Sequence, residues 1–128
     1  MKVRWTKNSV RFRITPSELA AIERGEPVSE TLCIAGDEVW RATIISDTDA
    51  TSCTFESGEL RIYLSQIDRK QLAQADRQGV YFQRDGKLAL RYFIEKDFPC
   101  AHPRAGEAME APSETFAPPP GFEERKTL

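Results

Sequence analysis

Val10-Arg11-Phe12-Arg13-Ile14-Thr15 and Leu60-Arg61-Ile62-Tyr63-Leu64-Ser65 are the stretches whose reading decides the fold. In each, every second side chain is aliphatic or aromatic and points one way, while arginine or tyrosine points the other. That period is the mark of a strand with one buried face. Each run ends in a hydroxyl residue suited to cap a helix. After the first comes Pro16-Ser17-Glu18, with Thr15 as N-cap, Pro at the first helical position and Glu18 closing a capping box. Leu19 and Ile22 face inward and Gly25 stops the helix. The second helix opens at Ser65 and runs over Gln66–Asp76, with Ile67, Leu72 and Ala75 apolar and Gly79 as its stop.

Working outward, Leu88, Leu90, Tyr92 and Ile94 alternate with Ala89, Arg91, Phe93 and Glu95, and Val39–Ile45, Cys53–Phe55, Thr31–Ile34 and Val80–Gln83 also read as strands. Val3 and Trp5 have the opposite parity to Val10 and Phe12, which calls for a bulge or tight turn near Asn8-Ser9. Asp85-Gly86 is the strongest hairpin signal, and Ser57-Gly58 and Gly36-Asp37 are weaker ones. Residues 10–45 and 60–94 thus share the order strand, helix, strand, strand, although their helices do not align residue for residue. The expected fold class is α+β: a mostly antiparallel sheet or partial barrel of seven to eight strands with two helices and a possible βαββ duplication.

Composition bounds the rest. At 128 residues the chain suits one domain. Six of the eight prolines lie in residues 99–128, so the reading is one α+β domain over 1–98 and a Pro-rich, flexible tail over 99–128. Residues 1–98 hold 15 basic and 15 acidic side chains, so the tail carries the net charge of −2. Pro118-Pro119-Pro120 with Phe122 nearby suits a polyproline ligand for a partner protein, or Phe116 and Phe122 pack loosely on the domain. No apolar run is long enough to span a membrane and no secretory signal is visible, while Cys33, Cys53 and Cys100 are too scattered for a disulfide framework. A cytoplasmic protein is expected, with Cys33 and Cys53 as small core residues.

The arginines carry the functional signal. Arg11, Arg13, Arg61 and Arg91 point away from the apolar stripe of their strands, and guanidinium groups sharing a face suit bidentate capture of phosphate or carboxylate. The plainer reading is a solvated face on which arginines pair with Glu38, Glu56, Glu59 or Glu95. Cys100-Ala101-His102 near Asp97 lacks the further ligands that a metal site needs, and no cofactor fingerprint or catalytic nucleophile motif is present. Nucleic acid is not indicated, although Tyr63 and Phe93 would form a stacking platform if they shared the arginine face.

Asn8-Ser9-Val10-Arg11-Phe12-Arg13-Ile14-Thr15-Pro16-Ser17-Glu18 and Glu95-Lys96-Asp97-Phe98-Pro99-Cys100 together resemble the opening and closing signatures of a family of small uncharacterised bacterial proteins. The resemblance covers residues 1 to 104 and implies a folded bacterial domain without an assigned activity. The strand-helix-strand-strand order also looks like the CYTH or triphosphate-tunnel fold, an antiparallel barrel that binds triphosphates with a divalent metal. Here Lys2-Val3-Arg4 stands where that family's first-strand carboxylates would be. The expectation is a non-enzymatic binding module in which Arg4, Arg11, Arg13, Arg61 and Arg91 hold an anionic ligand, with Glu95, Lys96 and Asp97 orienting them. Second comes a protein-interaction adaptor using the tail or a sheet edge, and third a metal-dependent triphosphate hydrolase.

Overall fold

The computed structural model describes residues 1–86, 89–98 and 115–117. The chain runs β1 (Lys2–Thr6), β2 (Ser9–Ile14), α1 (Pro16–Glu23), β3 (Val28–Ala35), β4 (Glu38–Thr48), β5 (Ser52–Glu56), β6 (Glu59–Ser65), α2 (Gln66–Ala73), β7 (Gly79–Arg84) and β8 (Leu90–Lys96). The strands form two four-stranded sheets, ordered β1-β2-β8-β7 and β3-β4-β6-β5 and called here the first and second sheet. In each the central pair is parallel and the outer pairs are antiparallel. The fold is therefore α+β, with two mixed sheets rather than one mostly antiparallel sheet, and no closed barrel. Alternation marks which face of a strand is buried but not which strand lies beside it.

Each half of the chain contributes a hairpin, a helix and a second hairpin, and the halves exchange hairpins. The first sheet joins β1-β2 from one half to β7-β8 from the other, and the second sheet does the reverse. The parallel registers match: Ser9 lies opposite Arg91 and Glu59 opposite Arg41, and both Ser9 to Glu59 and Arg41 to Arg91 are steps of 50 residues. Val28 and Val80, opposite Ile44 and Ile94, are 52 apart, so two extra residues enter after α2. That insertion is why the repeat blurs between helix and following strand. The repeating unit is ββαββ, because β5 is the counterpart of β1 rather than an extra strand.

One core serves both sheets. Val10, Phe12, Ile14, Tyr92 and Ile94 from the first sheet join Ile44, Leu60, Ile62 and Leu64 from the second, with Ile22 and Leu72 sealing the helix end. Thr15 caps α1 with its full capping box and Ser65 caps α2. The carbonyl ends of the helices are tied by equivalent strand positions. Ser46 Oγ donates to the Ile22 carbonyl at 3.1 Å, and Lys96 Nζ donates to the Gln74 carbonyl at 2.7 Å. A cation at a helix carboxyl end is favourable, and burial pushes the Lys96 amine below its usual range.

Several local expectations need correcting. Helix α2 ends at Ala73, not Asp76, and of its apolar residues Leu72 is buried while Ile67 is exposed. Gly79 starts β7 instead of stopping the helix: a Cβ there would stand 2.6 Å from the Ile94 carbonyl, so close packing demands glycine. The β7–β8 pairing closes at Arg84 and Leu90, wider than a two-residue turn, while the Leu88 strand position lies outside the described residues. Ser57-Gly58 forms the tight turn instead, with φ of 53° and 74° as type I′ requires. Trp5 pairs with Val10 across a two-residue turn at Lys7-Asn8, which repairs the parity there. Cys53 is buried but Cys33 is exposed on edge strand β3.

Ile44 and Ile94 are equivalent and both fully buried. Ile44→Ala and Ile94→Ala are each expected to cost about 2–5 kcal/mol, to similar extents, read from the denaturant midpoint. A large loss at one and a neutral result at the other would contradict the equivalence.

Candidate functional site

Because partners in register share a face, the outward residues of the first sheet can be read from its pairings. They are Lys2, Arg4 and Thr6 on β1, Ser9, Arg11 and Arg13 on β2, Arg91, Phe93 and Glu95 on β8, and Gly79, Tyr81 and Gln83 on β7. Arg4, Arg11, Arg13 and Arg91 therefore share one surface, joined by Lys2. Its strands hold five basic side chains and one acid, Glu95, and Asp97 just past β8 pairs with Lys2.

Arg61 lies elsewhere. It is on the outward face of the second sheet with Arg41, Glu59, Tyr63, Thr54 and Glu56, around a concavity of about 510 Å³. Its charge is used locally: Arg61 Nε pairs with Glu59, and Nη1 donates to Tyr63 Oη at 3.4 Å. Thr43 Oγ1 donates to the other Glu59 oxygen at 3.0 Å. The hydrogen bond from Arg61 holds the Glu59 carboxyl below the usual carboxylate range. Two arginines and two glutamates on that face cancel, whereas the first sheet keeps an excess of three positive charges once Glu95 and the Asp97 paired with Lys2 are counted.

The repeat makes this contrast sharper. Arg11 and Arg91 have counterparts in Arg61 and Arg41, but Lys2, Arg4 and Arg13 correspond to Ser52, Thr54 and Tyr63. Conversely, Glu56 and Glu59 correspond to Thr6 and Ser9. Identical backbone pairing thus carries a basic face on one sheet and a balanced face on the other.

Within the basic face, Arg11 Nε lies 2.8 Å from Glu95 Oε1, and its guanidinium sits over Phe93 at 5.5 Å from the ring centroid. Glu95 is buried, so this pair acts as a fixed support: removing one partner of a buried pair strands the other charge. Arg4, Arg13 and Arg91 form no ion pair or side-chain hydrogen bond among the described residues. Tyr81 packs against Phe93 with ring centroids 5.4 Å apart. Phe93 thus shares the arginine face with Tyr81, and Tyr63 does not. Burial is the main reason that the Tyr81 hydroxyl titrates above its ordinary value, with Glu95 adding to the rise and Arg11 opposing it.

The closing Glu95-Lys96-Asp97 divides into three roles. Glu95 faces the arginines, whereas Lys96 faces the other way and ties down α2. Asp97 is buried and pairs with Lys2 Nζ at 3.0 Å, and among the described residues it forms no ion pair with an arginine. Just beyond, the Phe116 backbone N–H donates to the Asp97 carbonyl at 2.8 Å, and its ring meets Phe98 edge-on. Cys100, His102, Phe122 and the proline triplet lie outside the described residues. Lys2 and Tyr81 were missed in the sequence; Lys2 has the parity of Arg4, a usable signal, but nothing there announces that β7 adjoins β8 on this face.

Arg61→Leu is expected to raise the Glu59 carboxyl pKa toward its ordinary value in a carboxyl-carbon NMR titration, while Arg11→Leu leaves it in place. Equal effects from the two variants would contradict the separation of the faces.

No curated protein and no solved structure matches the chain. The likeness to the triphosphate-tunnel fold therefore finds no support: the sheets stay open and their central pairs are parallel. Among the described residues, no three His, Cys, Asp or Glu side chains are grouped to hold a metal ion, and no helix is long and apolar enough to cross a membrane. A family model covers residues 1–119, taking in the basic face, the closing strand β8 and the docked Phe116, and on that match the chain belongs to a family of unknown function, DUF7009.

Proposed function

We propose that the protein is a non-enzymatic, cytoplasmic binding module that holds a phosphorylated or carboxylated ligand on the outward face of its first sheet. The observation that carries this reading is the co-facial set Lys2, Arg4, Arg11, Arg13 and Arg91, against which stand Glu95, paired with Arg11, and Asp97, paired with Lys2. Arg4, Arg13 and Arg91 are the ligand-binding groups, because they have no internal partner among the described residues. Arg11 is a positioning residue, held between Glu95 and Phe93. A planar guanidinium presents parallel N–H donors that match two oxygens of one phosphate or carboxylate. Cys33 and Cys53 are free thiols, which suits a reducing compartment.

A second reading, a protein-interaction adaptor, is favoured by one observation. Edge strand β3 exposes Leu32 and Ile34, and an unpaired edge of this kind accepts an added strand from a partner.

Titration calorimetry with tripolyphosphate tests the first reading. Saturable binding that weakens as salt rises is expected. Arg13→Ala and Arg4→Ala are each expected to weaken it about tenfold or more, since a charged hydrogen bond contributes about 1.5–3 kcal/mol. Arg61→Ala is expected to leave it unchanged. Absence of binding, or equal losses from Arg61→Ala and Arg13→Ala, would overturn the proposal.

A further inference from the structure

The hairpin end of the molecule presents its aromatic residues in an arrangement that the core does not require. Trp5 is 69% exposed and Phe55 is 58% exposed. Both belong to an apolar cleft of about 340 Å³ between the sheets, lined by Trp5, Val10, Trp40, Phe55, Leu60 and Leu90, with Lys7 as its one charged residue. The apolar six form three pairs related by the repeat: Trp5 with Phe55, Val10 with Leu60, and Trp40 with Leu90, each 50 positions apart. The cleft therefore lies where the two halves face one another. Its volume falls within the range of about 300–1,000 Å³ in which small-molecule sites are found.

The symmetry is broken by two features that point to a ligand. Lys7, whose counterpart is Ser57, forms no ion pair among the described residues and puts an uncompensated cation at the rim. The indole Nε1 of Trp40 is buried and meets no acceptor among the described residues, although buried donors are nearly always satisfied. Trp5 and Trp40 stack with centroids 6.0 Å apart, and a second apolar hollow of about 440 Å³ opens on their other side toward Leu32 and Ile34.

We infer that this cleft binds an apolar carboxylic acid, its chain or ring lying among Trp5, Trp40, Phe55 and Leu90 and its carboxylate paired with Lys7. The apolar lining supplies affinity through area removed from water, and the single cation selects an acid over a neutral molecule of the same shape. The site is on the inward side of the strands, away from the arginine face, so it stands or falls independently of the function proposed above.

The chain has two tryptophans, and both line the cleft and the adjoining hollow, so tryptophan emission detects binding at either, while Lys7 and Phe55, which line the cleft but not the hollow, tell the two apart. The test titrates the full chain with decanoate, below its micelle concentration, and with decanol. Decanoate is expected to change the emission saturably. Lys7→Ala should weaken decanoate about tenfold while leaving decanol unaltered, and Phe55→Glu should abolish the decanoate response by placing a carboxylate on the wall. Lys7 is on the exposed turn, so its variant keeps the test decisive even if Phe55→Glu fails to fold. Lack of a saturable response would overturn the inference, as would identical decanoate binding by Lys7→Ala. So would sedimentation showing the cleft closed within a dimer that decanoate does not affect.

Discussion

Neither half of this chain can complete a sheet without the other. Strand β2 takes β8 as its parallel neighbour and β4 takes β6, so every central pairing joins residues from opposite halves. Parallel neighbours cannot be linked by a tight turn and need a crossover, and here the crossing is made by exchanging whole hairpins. The consequence is a core in which Phe12 and Ile94 from one sheet meet Ile44 and Ile62 from the other. The helices close one end, tied down by Ser46 and Lys96 at equivalent positions. The other end carries the turns that close β1-β2, β3-β4 and β5-β6, and there the two sheets leave an apolar cleft between them.

Duplication fixes the backbone of both sheets but leaves their outward side chains free to differ, because those residues contribute little to the shared core. One face has engaged its arginines internally: Arg61 is held by Glu59 and Tyr63, and Arg41 Nε donates to Thr31 at 3.4 Å. The other face has serine and threonine at the positions of those glutamates and extra basic residues at Lys2, Arg4 and Arg13. An exposed ion pair contributes little to stability, so packing does not account for an array of arginines without partners. The anion site proposed above would give those arginines a partner, and the buried Glu95 beneath Arg11 is a fixed support for the array.

Most of the strands, the capped start of both helices and the repeated order were legible in the sequence, because each rests on local periodicity and capping chemistry. Pairing was not. Val10–Ile14 and Leu60–Leu64 read alike, and nothing local tells that they lie in different sheets. For that reason Arg61 was grouped with Arg11, which is its counterpart rather than its neighbour. Lys96 looked like a member of a charged site but caps a helix, and its inward parity in β8 was the available clue. The exposure of Trp5, Phe55 and Ile67 depends on where the sheets end and α2 turns, which is tertiary information.

Amide chemical shifts recorded while tripolyphosphate is added test the central claim most directly, since they locate the anion as well as detect it. The account predicts that the largest changes fall on Arg4, Arg11, Arg13 and Arg91, across β1, β2 and β8. Changes centred on Arg41 and Arg61, or an absence of saturable changes on the first sheet, would contradict it.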